Sequence, residues 1–239
     1  MYRFIDPGRI LETTRRLERR IKERFPEANL TQVAGELNGL AEQAQERCLA
    51  LRKPNVGFRI IGILLTLLGL AGLTLLLSKV QWSREGWLVE NFFEEFDAAT
   101  GTLLILGAAV FSAVTLENRV KRRRALRAVH ELRAMAHIID LHQLTKDPER
   151  ILDVAEDFDG PPDHPWTAFE LGRYFDYCSE MLSLLSKIAV LYVQDFTDPV
   201  VLSAVDEVEN LTTGLSRKIW QKITLIDRYD GGGPPRPAV

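Results

Sequence analysis

Two runs of 19 residues without one charged side chain dominate what this chain can become. Residues 60–78 read IIGILLTLLGLAGLTLLLS, and residues 98–116 read AATGTLLILGAAVFSAVTL. At the α-helical rise of about 1.5 Å per residue, each would reach roughly 28 Å, close to the hydrocarbon thickness of a bilayer. Two such helices with charged flanks are hard to bury in the core of a 239-residue chain. The runs are therefore read as a transmembrane hairpin.

The flanks give its direction. Arg47, Arg52, Lys53 and Arg59 precede the first run, and Arg119, Lys121, Arg122, Arg123, Arg124 and Arg127 follow the second. The stretch between the runs, 80–97, has one basic residue, Arg84, against Glu85, Glu90, Glu94, Glu95 and Asp97. Basic flanks stay on the cytoplasmic side, so both termini are expected in the cytoplasm of a bacterium and the acidic stretch outside its inner membrane. Arg59, Trp82, Trp87, Arg119, Lys121, Arg122, Arg123 and Arg124 are the expected membrane-interface residues. Cys48 and Cys178 would then lie in a reducing compartment, where a structural disulfide is not expected.

The remaining sequence reads as helices throughout, which makes the fold class all-α. Asp6-Pro7, Asp147-Pro148 and Asp198-Pro199 mark helix starts, because Asp caps free N–H groups and proline has none to lose in the first turn. A first helix runs to Phe25, where Pro26 interrupts it, and Asn29 with Gln32 offers a capping box for the next. Leu30, Val33, Leu37, Leu40, Ala44, Cys48 and Leu51 then recur at the three- and four-residue steps of a coiled-coil-like stripe. Near the C-terminus, Leu171, Tyr174, Cys178, Leu182, Leu185, Ala189 and Tyr192 stripe one helix. Val201, Ala204, Val208, Leu211, Leu215, Ile219 and Ile226 stripe another, with Lys222 as the one polar intruder. The short TDP link between them predicts an antiparallel hairpin. The expected organisation is thus N-terminal cytosolic helices over 1–57, a first span over 58–79, an acidic aromatic loop over 80–97, and a second span over 98–116. A cytosolic helical domain follows over 117–229, with a short helix from Pro148 to about Phe158 and a loop over 157–166. The last segment, 230–239, is a tail expected to be disordered. The N-terminal helices and the C-terminal hairpin should close one bundle, since neither apolar stripe can remain in water.

The stretch AHIIDLHQLTKDP, 136–148, holds two of the four histidines around an aspartate. His137 and Asp140 are three apart and could share a metal ion, with His164 or a loop carboxylate, Asp157, Asp159 or Asp163, needed to complete the set. His130 is about 10 Å from His137 along a helix and His142 points elsewhere, so the set is incomplete. A helix corner held by Thr145 and Asp147 explains the same residues. No glycine-rich phosphate loop, nucleophile elbow, HExxH or CxxC occurs. The expected chain is therefore not an enzyme and needs no cofactor.

Three functions remain. The first is a two-span membrane protein whose cytosolic helices form an interaction or scaffold module, self-associating or holding another protein. The second is an oligomeric cation channel with Glu94, Glu95 and Asp97 at its mouth. The third is a membrane-tethered metal-dependent enzyme. Nucleic acid is not an expected partner, because residues 128–239 carry 10 basic and 19 acidic side chains. The basic run before them sits where anionic headgroups would be.

Overall fold

The caps signalled by the Asp-Pro pairs open the first and last helices. The computed structural model describes residues 4–53, 56–79, 89–146, 148 and 166–230. Asp6 accepts a hydrogen bond from the Gly8 N–H at 2.9 Å and launches α1 (Pro7–Arg24). Asp198 accepts from the Val200 and Val201 N–H groups at 3.0 and 3.2 Å and launches the last helix, α6 (Pro199–Asp230). Between them lie α2 (Asn29–Arg52), α3 (Val56–Lys79), α4 (Val89–Leu144) and α5 (Ala168–Gln194). No strand occurs among the described residues. Asp147, most of the expected helix after it and the loop over 157–165 lie outside them, as do Trp82, Trp87 and the tail over 231–239.

Two local expectations change. Asn29 is already helical, and the turn before α2 is held by Thr31, whose hydroxyl donates to the Phe25 carbonyl at 2.7 Å. Helix α4 begins at Val89, within the segment expected to be a loop. The stretch VENFFEEFD has no proline or glycine to stop a helix, so the helix runs through it. It then continues without a break through the basic run to Leu144.

The chain divides into two compact units, residues 1–52 with 125–239, and residues 53–124. In the first unit, α5 is the central element. It buries the expected stripe and also Phe175, Tyr177, Met181, Leu184, Ile188 and Leu191. A single stripe serves a helix with one neighbour, whereas α5 has α1, α2 and α6 packed on it. Cross-links give the helix directions. Gln194 holds the backbone of Ile5 at both N–H and C=O, at 2.9 and 3.3 Å, while Arg20 pairs with Glu180 at 3.0 Å, so α1 runs antiparallel to α5. Arg52 at the end of α2 meets Asp195 at the end of α5, at 2.6 Å. Ser186 bonds Glu209 across the α5–α6 hairpin at 3.3 Å.

The C-terminal part of α4 contributes Ala125, Ala128, Val129, Leu132, Met135, Ala136 and Ile139 to the same core. Arg47 pairs with Glu131 at 2.5 Å, and Arg133 with Glu207 at 3.0 Å. From the Arg47–Glu131 level, α2 runs on to Arg52, while α4 arrives from Ala125. The chain therefore leaves and rejoins this unit at one end, the end that also carries Ile5, Gln194 and Asp198. The N- and C-terminal helices share one hydrophobic core within a single chain. The ion pairs that tie them are substantially exposed and contribute little beyond orientation.

In the second unit, α3 and the first part of α4 approach closely at one point. A Cβ added at Gly69 would lie 2.6 Å from a methyl of Leu106, so any larger residue there would require the Leu106 side chain to shift. Many other large side chains are uncovered, among them Leu67 (57% exposed), Leu68 (72%) and Phe111 (74%). By length and composition, one helical stretch among the described residues, Leu103–Leu144, could cross a membrane. The apolar stretch Ile60–Gly72 of α3 is shorter than that requirement.

Burial in the first unit sets a direct expectation. Leu182 is fully buried and Leu215 is 4% exposed, whereas Leu141 is 61% exposed. Leu182→Asp and Leu215→Asp should each cost about 3 kcal/mol or more, because each strands a carboxylate in the core. Leu141→Asp should shift thermal unfolding, followed by circular dichroism, hardly at all.

Candidate functional site

The histidine-bearing stretch lies where α4 ends, at the opposite end of the first unit from the chain crossings. Its last carbonyls have no partner within the helix and need donors from elsewhere. The C-terminal hairpin supplies them. Lys222 of α6 donates to the Gln143 carbonyl at 2.8 Å, and the Tyr174 hydroxyl of α5 lies 3.5 Å from the His142 carbonyl. Thr145 folds back with its hydroxyl on the His142 carbonyl at 2.9 Å. A lysine is well matched to the negative end of the helix dipole. Lys222, the lone polar residue of its stripe, is thus a cap delivered from another helix, with its ammonium also 5.4 Å from the centre of the Phe175 ring.

Gln143 is fully buried beside this cap. Its amide donates to Asp140 at 2.5 Å, and its side-chain oxygen has no hydrogen-bond partner among the described residues. Aromatic rings close the corner. Trp166 packs 5.3 Å from Phe25 and 5.5 Å from Tyr174, with the Lys146 ammonium 4.5 Å over its ring. Burial lowers the Lys146 pKa, and raises that of the Tyr174 hydroxyl well above its ordinary value. Helix α5 enters the corner through a reciprocal cap that the motif T-x-x-E, Thr167 to Glu170, announces in the sequence.

Of the three candidate ligands, the structure describes His137 and Asp140. His137 is exposed, Asp140 is half-buried and bonded to Gln143, and His164 lies outside the described residues. Among the described residues, no three His, Cys, Asp or Glu side chains are placed to hold one metal ion. The geometry is that of a structural corner. The other sequence candidates are dispersed. Asp97, Arg119, Arg123 and Arg124 are exposed, Arg122 is half-buried, and Lys121 pairs with Glu117 at 3.0 Å. The side chains of Arg59, Glu94 and Glu95 lie outside the described set.

Neither cysteine is poised for chemistry. Burial pushes the Cys48 thiol up to about 11, and holds Cys178, deeper in the core, higher still. Both are therefore protonated at neutral pH, and a thiol is a poor nucleophile. Sequence reasoning also missed a groove of about 800 Å³ between the start of α1 and the middle of α5. Phe4, Ile10 and Leu184 line it beside Lys187, whose ammonium donates to the Ser183 hydroxyl at 2.7 Å. No spacing motif marks such a groove, since its two walls come from distant parts of the chain.

No family model matches this chain, and comparisons with curated proteins and with solved structures find no match. Among the described residues the fold is an all-α bundle continued by the chain into two largely exposed apolar helical stretches.

Removing the cap should loosen the corner. Lys222→Met should cost about 1.5–3 kcal/mol in thermal unfolding, the usual size of a hydrogen bond to a charged group. His137→Ala should be neutral, and elemental analysis of the purified protein should find no stoichiometric transition metal. The thiols offer a pH test. Unfolded chain ionises Cys48 near the ordinary 9.0, folded chain only near 11, so the unfolded state holds fewer protons between them. The thiol contribution to stability is constant below pH 9 and falls as pH rises to 11. Iodoacetamide at neutral pH should modify neither cysteine until denaturant is added.

Proposed function

We propose that this chain is a two-span integral protein of a bacterial inner membrane. Its helical bundle forms a cytoplasmic interaction or scaffold module, and it assembles with further copies of itself or with another protein. The observation that carries this reading is the departure and return of the chain at one end of a closed bundle. Between those two points lie α3 and the first part of α4, many of whose described large apolar side chains are exposed. Water does not tolerate such a surface, and a bilayer requires it. The Gly69–Leu106 contact supports pairing of these helices, as small residues do between helices in lipid. The flanking basic residues support cytoplasmic termini.

A bundle closed around an apolar core, with its thiols protonated and its polar corner engaged in capping a helix, supports binding more than catalysis. Neither the channel nor the metal-dependent enzyme is favoured by a particular contact.

Reporter fusions at Glu90 and after Val239 should give opposite sidedness, and sodium carbonate should leave the protein in the membrane pellet. Equal sidedness would remove the hairpin. Planar bilayers containing the purified protein should carry no cation current. Reproducible current reduced by joint neutralisation of Glu94, Glu95 and Asp97 would promote the channel instead.

A further inference from the structure

Helix α6 buries Val201, Val205, Val208, Leu215, Ile219 and Ile226 in the core of the first unit. At about 100° per residue, Leu202, Asp206, Asn210, Thr213, Arg217 and Trp220 fall within about 80° of one another on the side away from that core. All six are exposed, Trp220 to 64% and Leu202 to 44%. The neighbouring helices hold α6 elsewhere, α5 at Glu209 and α4 at Glu207 and Lys222. Among the described residues neither Asp206 nor Arg217 has an ion-pair partner, so both charges are free to meet another molecule.

The order along this stripe is apolar, acid, small polar, small polar, base, apolar, which is its own complement when reversed. Asp206 and Arg217 are equidistant from a centre between Leu211 and Thr212, and so are Asn210 and Thr213. Leu202 and Trp220 match the same centre to within one residue, about 1.5 Å along the axis. A second α6 turned end for end therefore sets Asp206 against Arg217 twice and Trp220 over Leu202 twice. The smaller Asn210 and Thr213 fall in the middle, where the two backbones come nearest. Parallel alignment sets Asp206 on Asp206 and Arg217 on Arg217, which like charges oppose. The outward face of α4 has exposed Leu141 and Leu144 at one end and His130 at the other, with no acid and base to fix a register.

We infer that α6 binds α6 of a second copy, antiparallel about a twofold axis near Leu211 and Thr212, through two Asp206–Arg217 pairs and two Trp220–Leu202 contacts. This rests on the self-association in the reading above and names its surface. The contact is isologous, one patch meeting itself, so it closes at two copies. Covering the tryptophans supplies most of the affinity, and the exposed ion pairs fix the register. The stripe is about 27 Å long, which places the contact at the small end of specific interfaces and makes the pair reversible. Every residue it uses belongs to the first unit.

The test uses the full chain purified in a mild detergent, with its mass followed by light scattering over a concentration series. Asp206→Arg and Arg217→Asp should each weaken the pair at least about tenfold, because each sets like charges together twice. The double variant should return to within about threefold of the parent, and so should an equimolar mixture of the two single variants. A variant that merely failed to fold would not be rescued by mixing. Copies carrying Leu202→Cys mixed with copies carrying Trp220→Cys should cross-link through a short bis-maleimide faster than Trp220→Cys copies alone, the native thiols being buried. Pairs that neither charge reversal weakens would overturn this surface and leave self-association standing. A parent that stays monomeric throughout would overturn both, leaving another protein as the partner. Weakening by both reversals without rescue in the mixture would overturn the Asp206–Arg217 pairing. Faster cross-linking of Trp220→Cys alone than of the mixture would overturn the antiparallel arrangement.

Discussion

Helix α5 buries 13 of its 27 side chains, and the first unit is organised around that burial. A helix that buries so many side chains needs several neighbours, and they come from both ends of the sequence: α1 and α2 before it and α6 after it. The apolar area removed from water is the main driving force. The polar contacts decide direction and level. Gln194 with Ile5 and Arg52 with Asp195 set one end, while Lys222 with the α4 terminus sets the other.

This arrangement separates the two ends of the bundle in character. One end gathers the chain crossings and the Arg52–Asp195 pair. The other gathers rings, a lysine-capped helix end and a buried amide. Its rings and lysines interlock, with Lys146 over Trp166 and Lys222 beside Phe175, so the corner is held by contacts that cost little to form once the core has packed. The proposed role as a membrane-attached interaction module leaves the capped end and the groove along α1 as candidate surfaces for a partner.

Much of the fold was legible. The capping acids at Asp6 and Asp198, the break at Pro26 and the stripes of α2 and α6 follow from backbone chemistry and three-to-four spacing. So does the closure of the N- and C-terminal helices on one another, since neither stripe is stable in water. The candidate site was half legible. The stretch around His137 and Asp140 was readable as a corner, but its partners were not. Lys222 looked like a flaw in a stripe, because its acceptor lies 79 residues away in the chain. The second buried face of α5 was hidden for a related reason. Tyr177, Met181 and Leu184 read as ordinary apolar residues until a further helix is known to cover them.

By itself the sequence determined the local terms. These are helix against strand, where helices start, which runs are too apolar for water, and the uneven distribution of charge about them. Each depends on residues within a few turns of one another, where spacing maps directly onto space. Only the tertiary structure decided which helix is central, which end of the bundle gathers the chain crossings, and that a lysine of α6 caps α4. It also decided that Leu106 presses on Gly69 while Gly62, Gly72 and Gly107 meet no such neighbour. Those outcomes depend on packing between segments far apart in the chain. Many pairings would satisfy the same hydrophobic pattern, and shape complementarity with well-placed polar contacts selects one of them.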